Sequence, residues 1–272
     1  MRTAIVLLAL VALLGGSPLL PAQPDGPPPS GTAAGGDRFD PVAFFKAHIF
    51  PYEPIYFIAG HKDPNAKFQF GFRYQIADSD RRWLNGFNFA YTQTSLWDLS
   101  APSAPFFDSS YKPELLYRYA DLLGGAATNW LHLDVQAGMQ HESNGKSGPN
   151  SRSLNLAYFR PTLTLGFPGR WQLTLQPRAW GYLGGLSDNP DLDEFRGYFD
   201  LRVMLAYKDL QLSAIGRMGH KGNHPSGQFD LTYRIPKTAV YLDVQYFTGY
   251  GESLLLYNRR SDVIRFGFAL YR

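Results

Sequence analysis

The 272-residue sequence has no cysteine, so it offers neither disulfides nor thiolate metal ligands. It has no run of lysine or arginine. Its net charge of +3 is dispersed along the chain, which excludes the basic patch of a nucleic-acid-binding protein. After residue 20 no apolar stretch approaches the roughly 20 residues that a membrane-spanning helix needs. Charged residues make up 18% of the chain and mean hydropathy is −0.25, which also excludes a helical membrane protein. A chain of this kind can cross a membrane only as a closed barrel of strands.

What is present points that way. Aromatic residues reach 15%, with 17 Tyr and 20 Phe, and there are 27 Gly. These residues suit strands whose outer face meets an apolar or interfacial solvent. The N-terminus reads as an export signal: Arg2 supplies positive charge, Ala4 to Leu14 is an unbroken apolar run, and Gly15-Gly16-Ser17-Pro18 ends it. We expect residues 1–22 to form a signal peptide, cleaved somewhere within 16–23. Residues 23–44, which continue the Pro- and Gly-rich stretch that starts at Pro21, should be a flexible lead-in. Residues 45–272 are then the barrel domain.

From about residue 55 the hydrophobic period is two. Phe68, Phe70, Phe72, Tyr74 and Ile76 alternate with Gln69, Gly71, Arg73 and Gln75. The pattern returns in Phe229, Leu231, Tyr233 and Ile235, in Val240, Leu242, Val244 and Tyr246, and in Ile264, Phe266, Phe268 and Leu270. Successive side chains of a strand point to opposite faces, so one face is oily and the other polar or small. A water-soluble sandwich also alternates. Against it, Arg73, Asp200, Arg202, Asp230 and Arg265 stand mid-strand on the polar face, where a wet lumen would hold them. The segments, of roughly 10–13 residues, are also longer than ordinary globular strands. The expected fold is therefore all-β: a twelve-stranded antiparallel transmembrane β-barrel. Its strands are predicted near 54–59, 66–76, 84–97, 111–121, 128–142, 152–167, 170–182, 194–207, 209–218, 227–235, 238–248 and 261–271.

Parity then singles out a candidate site. Leu131, Leu133, Val135, Ala137 and Met139 share the apolar face of one strand, and counting on by twos brings His141 and Ser143 to it. In the next strand Ala157, Phe159, Leu163 and Leu165 mark the apolar face, and Asn155 has their parity. Three polar side chains on a lipid-facing wall are costly unless they are paired or functional. Residues two apart on a strand lie roughly 6.5–7 Å apart, so an imidazole can lean toward a neighbouring hydroxyl. The three residue types suit nucleophilic acyl transfer: Ser143 as nucleophile, His141 as its base and Asn155 as the group that orients the imidazole. Parity alone is equally met by polar side chains at the membrane rim.

The stretch Gln140 to Asn155, QHESNGKSGPNSRSLN, resembles the signature of the outer-membrane phospholipase A family, in which H-x-S-N-G is followed by S-R-S-x-N. Tyr91-Thr92-Gln93, Ser103 to Phe106, Asp188-Asn189-Pro190-Asp191 and Tyr250 to Leu254 look similar to the family as well, in order, over residues 45–272. The resemblance implies a twelve-stranded barrel of the bacterial outer membrane that hydrolyses acyl esters of glycerophospholipids at both positions. It implies His141, Ser143 and Asn155 as catalytic residues, with Gly145 N–H at the oxyanion. It also implies dependence on Ca2+ and activation as a homodimer. The calcium ligands carried over are Ser151 hydroxyl, Lys146 carbonyl and Ser103 carbonyl from the partner subunit, with Asp188 linked to the metal site. Hard oxygen donors of this kind suit calcium. Gln93 would hydrogen-bond across the dimer. The chain departs from the family pattern at Lys146, where arginine is usual, and at Gly148, where a carboxylate is usual.

Other candidates are weaker. His220 and His224 flank Lys221-Gly222-Asn223 and read as a solvated loop. Glu142 has inward parity and reads as a lumen residue. Residues 188–193 (DNPDLD) lack the ligand spacing of an EF-hand. The rival functions are a non-catalytic channel or structural barrel and a different lipid-modifying barrel such as a lipid A deacylase.

Overall fold

The computed structural model describes residues 41–81, 83–123 and 130–271. The expected signal peptide and most of the lead-in lie outside these residues. Residues 41–44, read as flexible, instead begin a short helix, α1 (Pro41–Ala47).

Twelve antiparallel strands follow. The first, β1, comes in two pieces, Ile49–Pro51 and Ile55–Gly60, both paired to the second strand. The others are β2 (Ala66–Gln75), β3 (Phe87–Trp97), β4 (Phe106–Tyr119), β5 (Leu131–Ser143) and β6 (Ser153–Gly166). Then come β7 (Trp171–Leu183), β8 (Phe199–Tyr207), β9 (Leu210–Arg217), β10 (Ser226–Arg234), β11 (Tyr241–Tyr250) and β12 (Arg260–Tyr271). Each strand pairs with its neighbour in sequence, and β12 pairs back onto β1 through Phe268↔Phe57 and Phe266↔Ala59. The barrel is closed through Ile55–Gly60, and Ile49–Pro51 pairs on one side only among the described residues.

The alternation fixes the two faces. Leu115, Met139, Phe159, Phe266 and Phe268 stand exposed on the outside, each more than half accessible. The inward set is polar and buried: Arg73, Glu114, Gln136, Gln140, Arg160, Gln245 and Arg265. Trp171 and Tyr207 stack outside at one rim, centroids 4.6 Å apart, beside the tight turns 167–170 and 208–209. The loops 98–105, 144–152, 184–198, 218–225 and 251–259 gather at the opposite rim. The turns 167–170 and 208–209 are tight, whereas the connection 76–86 at the same rim is long, so the asymmetry expected of a bacterial barrel is only partial.

The break in β1 differs from the sequence expectation, which began the strand at residue 54. Tyr52, Glu53 and Pro54 leave the sheet and enter the lumen. There Glu53 accepts from Arg160 Nη1 at 2.7 Å and from Arg202 Nη2 at 3.0 Å. Tyr52 Oη accepts from Gln136 at 2.7 Å and Arg160 Nη2 at 2.8 Å, and Tyr158 donates to Glu114 at 2.5 Å. Buried charges of this kind persist only when paired and hydrogen-bonded. Other boundaries also move; β5 starts at Leu131 rather than 128 and β11 at Tyr241 rather than 238. β4 starts at Phe106 rather than 111. β3 starts at Phe87, after a single turn over Leu84–Gly86. β8 starts at Phe199 rather than 194, because a helix, α2 (Leu192–Arg196), occupies the preceding residues.

Candidate active site

β5 and β6 form the hairpin that carries the candidate residues. Their register pairs His141 with Asn155 and Ser143 with Ser153. Outward residues of β5 run Val135, Ala137, Met139, His141, Ser143, while Gln136, Gln140 and Glu142 are buried toward the lumen. Parity therefore holds to the last residue of the strand. His141 Nδ1 lies 2.9 Å from Asn155 Oδ1. An amide oxygen only accepts, so Nδ1 carries the hydrogen and Nε2 is left as the free base. Ser143, two residues on, shares this face.

Behind the strand the structure is dense. Glu142 accepts from Ser110 Oγ at 2.5 Å and from Arg196 Nη1 at 2.9 Å, which ties the end of β5 that carries the candidate residues to α2. On β6 the residues flanking Asn155 turn inward: Leu154 and Leu156 are buried with Tyr158, Leu192, Leu254 and Tyr257. The rim loops thus bring an apolar cluster to the inner wall directly behind the outward asparagine, an arrangement parity did not predict. Tyr257 donates to Asp191, and burial together with this bond raises its hydroxyl pKa above the usual range.

The connection between the strands, residues 144–152, is organised by Asn144. Its Oδ1 accepts from Lys146 N at 3.2 Å and Arg152 N at 3.0 Å, and its Nδ2 donates to Asn150 O at 2.9 Å. Gly145 has φ +66°, a left-handed conformation, and a Cβ there would stand 2.9 Å from Tyr111 Cε2. Both the backbone and the ring therefore require glycine.

The residues carried over as calcium ligands are only partly together. Ser151 Oγ donates to Asp188 Oδ2 at 3.2 Å, and Ser153 Oγ donates to the same oxygen at 3.0 Å. Asn189 Oδ1 accepts from Ser153 N at 3.2 Å, so the loop at 188–189 is docked on the start of β6. Lys146 lies in the same hairpin, its Nζ donating to Phe107 O at 2.6 Å. Ser103 stands exposed in the β3–β4 loop, at φ 64°, and no hydrogen bond joins it to Lys146 or Ser151 among the described residues. The donors are hard oxygens with a single carboxylate, Asp188, and no cluster of three acidic or histidine side chains occurs among the described residues. Such a set fits calcium when a second copy completes it.

Some expectations change. Gln93, expected to hydrogen-bond across the dimer, also has partners within the chain: Tyr91 Oη donates to it at 3.0 Å and it donates to Ser95 Oγ at 3.1 Å, which leaves one amide N–H over. His224 is packed rather than solvated, stacked on Phe195 at 4.2 Å with Nδ1 2.9 Å from Glu194 O. The lumen cavity, about 650 Å3, is lined by Glu114 and Glu142 but not by His141, Ser143 or Asn155. The candidate chemistry lies on the outer wall.

The family model described as Phospholipase A1 matches residues 51–270. The chain belongs to this family. It is 36% identical over 183 residues to Phospholipase A1 of Escherichia coli K12, a match covering 66% of this chain and 61% of the relative. The chain thus spans about three fifths of the length of the curated relatives it matches. Among solved structures, the outer membrane phospholipase of Salmonella typhi, a dimer with bound calcium, superposes with a TM-score of 0.70 at 28% identity. That match covers 82% of this chain and 92% of that one. An active-site asparagine-to-alanine mutant of outer membrane phospholipase A from Escherichia coli superposes at 0.69, with 28% identity and 86% and 94% coverage. As a closed barrel of this family with an apolar outer belt, the protein belongs to the bacterial outer membrane.

Proposed function

We propose that the protein is a phospholipase that cleaves acyl esters at either glycerol position of membrane phospholipids by a Ser143–His141–Asn155 mechanism, using calcium and working as a homodimer. The observation that carries this reading is the 2.9 Å contact of His141 Nδ1 with Asn155, on the lipid-facing wall two residues from a serine. His141 Nε2 takes the proton of Ser143 Oγ as that oxygen attacks the ester carbonyl carbon. The carbonyl oxygen becomes an oxyanion, which the Gly145 N–H would meet. Collapse expels the lyso-lipid alcohol, which takes its proton from His141, and the acyl group stays on Ser143. Water, deprotonated by His141, then releases the fatty acid and restores the hydroxyl. Asn155 keeps the imidazole in one tautomer throughout.

Ser151, Asp188 and the Lys146 carbonyl would hold the calcium, with Ser103 of the partner subunit completing the shell. A cation there would add positive charge beside the oxyanion. The relatives support this reading: one is named for the A1 activity, one is a calcium-bound dimer, and one is described as an active-site mutant at an asparagine. Residues 1–22 would be removed on export, with 23–40 leading into the barrel. The rival reading, a conducting channel, fits the lumen poorly, because the Glu53–Arg160–Arg202 network spans it.

The test is release of fatty acid from phosphatidylethanolamine by refolded protein, with and without calcium. Native protein should be active only with calcium, and Ser143→Ala should be inactive. Turnover above one tenth of native in folded Ser143→Ala protein would remove the serine mechanism. Conductance in planar bilayers without any hydrolysis would favour the channel.

A further inference from the structure

The loop between β11 and β12, residues 251–259, lies almost entirely outside the chemistry just described, yet a buried carboxylate links it to the catalytic hairpin. Asp108, two residues into β4, is 3% exposed. Its Oδ2 accepts from Ser253 Oγ at 2.8 Å and from Leu255 N at 2.8 Å, and its Oδ1 faces Asn144 Nδ2 at 3.4 Å. All three partners are rim-loop residues, two from one loop and one from the other. A lumen carboxylate with only a packing role has no reason to join two loops separated by more than one hundred residues.

We propose that Asp108 is a positioning residue through which the loop 251–259 holds the hairpin 144–152 in its reactive shape. The inference rests on the serine-hydrolase reading above. Asn144 is the centre of the hairpin, gathering the N–H groups of Lys146 and Arg152 on one oxygen. Asp108 is the group outside the hairpin that its side chain meets. The loop on the other side of Asp108 is itself anchored: Glu252 accepts from Arg265 Nη1 at 2.5 Å, and Tyr257 donates to Asp191. The hairpin's far end meets the same loop, with the Arg152 guanidinium 6.0 Å from the Tyr257 ring centre. A nine-residue connection left to itself samples many shapes. The Gly145 N–H can serve an oxyanion only in one of them, and displacements of about 1 Å cost on the order of 100-fold in rate. The chain from Ser253 through Asp108 to Asn144 selects that shape.

The experiment uses the full-length refolded protein and four variants: Asp108→Asn, Ser253→Ala, Asn144→Asp and the double variant Asp108→Asn/Asn144→Asp. In Asp108→Asn the amide nitrogen can face Asn144 Nδ2, donor against donor, while its oxygen still holds Ser253. In the double variant the 108–144 pair is complementary again with its polarity reversed, while the bond from residue 144 to Asn150 O stays lost, so recovery is partial. The readouts are kcat and KM on dioleoylphosphatidylethanolamine in mixed micelles at saturating calcium, and amide hydrogen exchange of the segment 145–152. We expect Asp108→Asn to lower kcat about tenfold or more and Ser253→Ala to lower it severalfold, with KM within twofold in each. Exchange over 145–152 should speed up in both, with the strands unchanged, and the double variant should regain part of the lost kcat. If Asp108→Asn does not fold, Ser253→Ala carries the test alone, since it leaves the carboxylate in place. Two results overturn the inference: kcat and exchange within twofold of native in Ser253→Ala, or the same in folded Asp108→Asn protein. Either result, with Ser143→Ala inactive, sinks the positioning role alone. Activity in Ser143→Ala sinks the reading beneath it.

Discussion

His141 and Asn155 sit directly opposite each other across the β5–β6 pair, and their side chains meet at 2.9 Å on the outer wall of the barrel. The cross-strand register alone brings them together, since directly opposed side chains have Cβ atoms roughly 4.5–5.5 Å apart. Both flanks of Asn155 are anchored from inside by Leu154 and Leu156. The asparagine is thereby held in place by residues that never reach the lipid.

The two residues should therefore fail differently. His141→Ala removes the proton acceptor and should abolish phospholipid hydrolysis. Asn155→Ala removes only orientation, and a lost hydrogen bond of about 1–3 kcal/mol corresponds to roughly 5- to 150-fold in kcat. Steady-state kinetics on phosphatidylethanolamine separate the cases. Equal losses in the two variants would mean that Asn155 does more than orient the ring.

Asp188 gathers the hydroxyls of Ser151 and Ser153. Ser151→Ala and Asp188→Asn should raise the calcium concentration for half-maximal activity, and both should weaken calcium-induced dimerisation. A ligand shifts a population only by its differential affinity, so a metal bound by the paired form alone must drive pairing. Sedimentation in detergent across a calcium titration is the measurement. A protein that stays monomeric at full activity would sink the shared site while leaving the Ser143 chemistry intact.

Gly148 stands at φ +61° at the start of the short turn Gly148–Asn150, and a Cβ added there would meet nothing within 4 Å. Space is therefore no obstacle to a carboxylate there, although the left-handed backbone disfavours it by roughly 1–2 kcal/mol. Gly148→Asp should lower the calcium requirement, measured as half-maximal activation, with a small loss of thermal stability. An unchanged requirement would place this position outside the metal's reach.

Glu53 answers two arginines at once. Glu53→Gln removes the carboxylate that Arg160 and Arg202 share in the lumen, and breaking a buried pair from one side costs about 3–5 kcal/mol. Denaturant unfolding of the refolded barrel should show a loss of that order. Replacement with no measurable loss would mean that water, rather than Glu53, compensates the two guanidinium groups.

The sequence by itself determined the barrel, its faces and the three candidate catalytic residues. The period of two is a local property of an extended chain, so any lapse in it, such as His141, Ser143 or Asn155, is visible one strand at a time. Tertiary structure alone decided the break in β1 around Tyr52–Glu53, the helix Leu192–Arg196, the apolar cluster behind Asn155 and the partners of Asp108. Glu53 reads locally as a charged residue between two prolines, and only Arg160 and Arg202, more than one hundred residues away, make it a lumen residue. Asp108 has ordinary inward parity, identical to that of Ser110 and Lys112. What sets it apart is that closing the sheet brings the loop 251–259 over it, and sheet closure is a long-range event that no local pattern encodes.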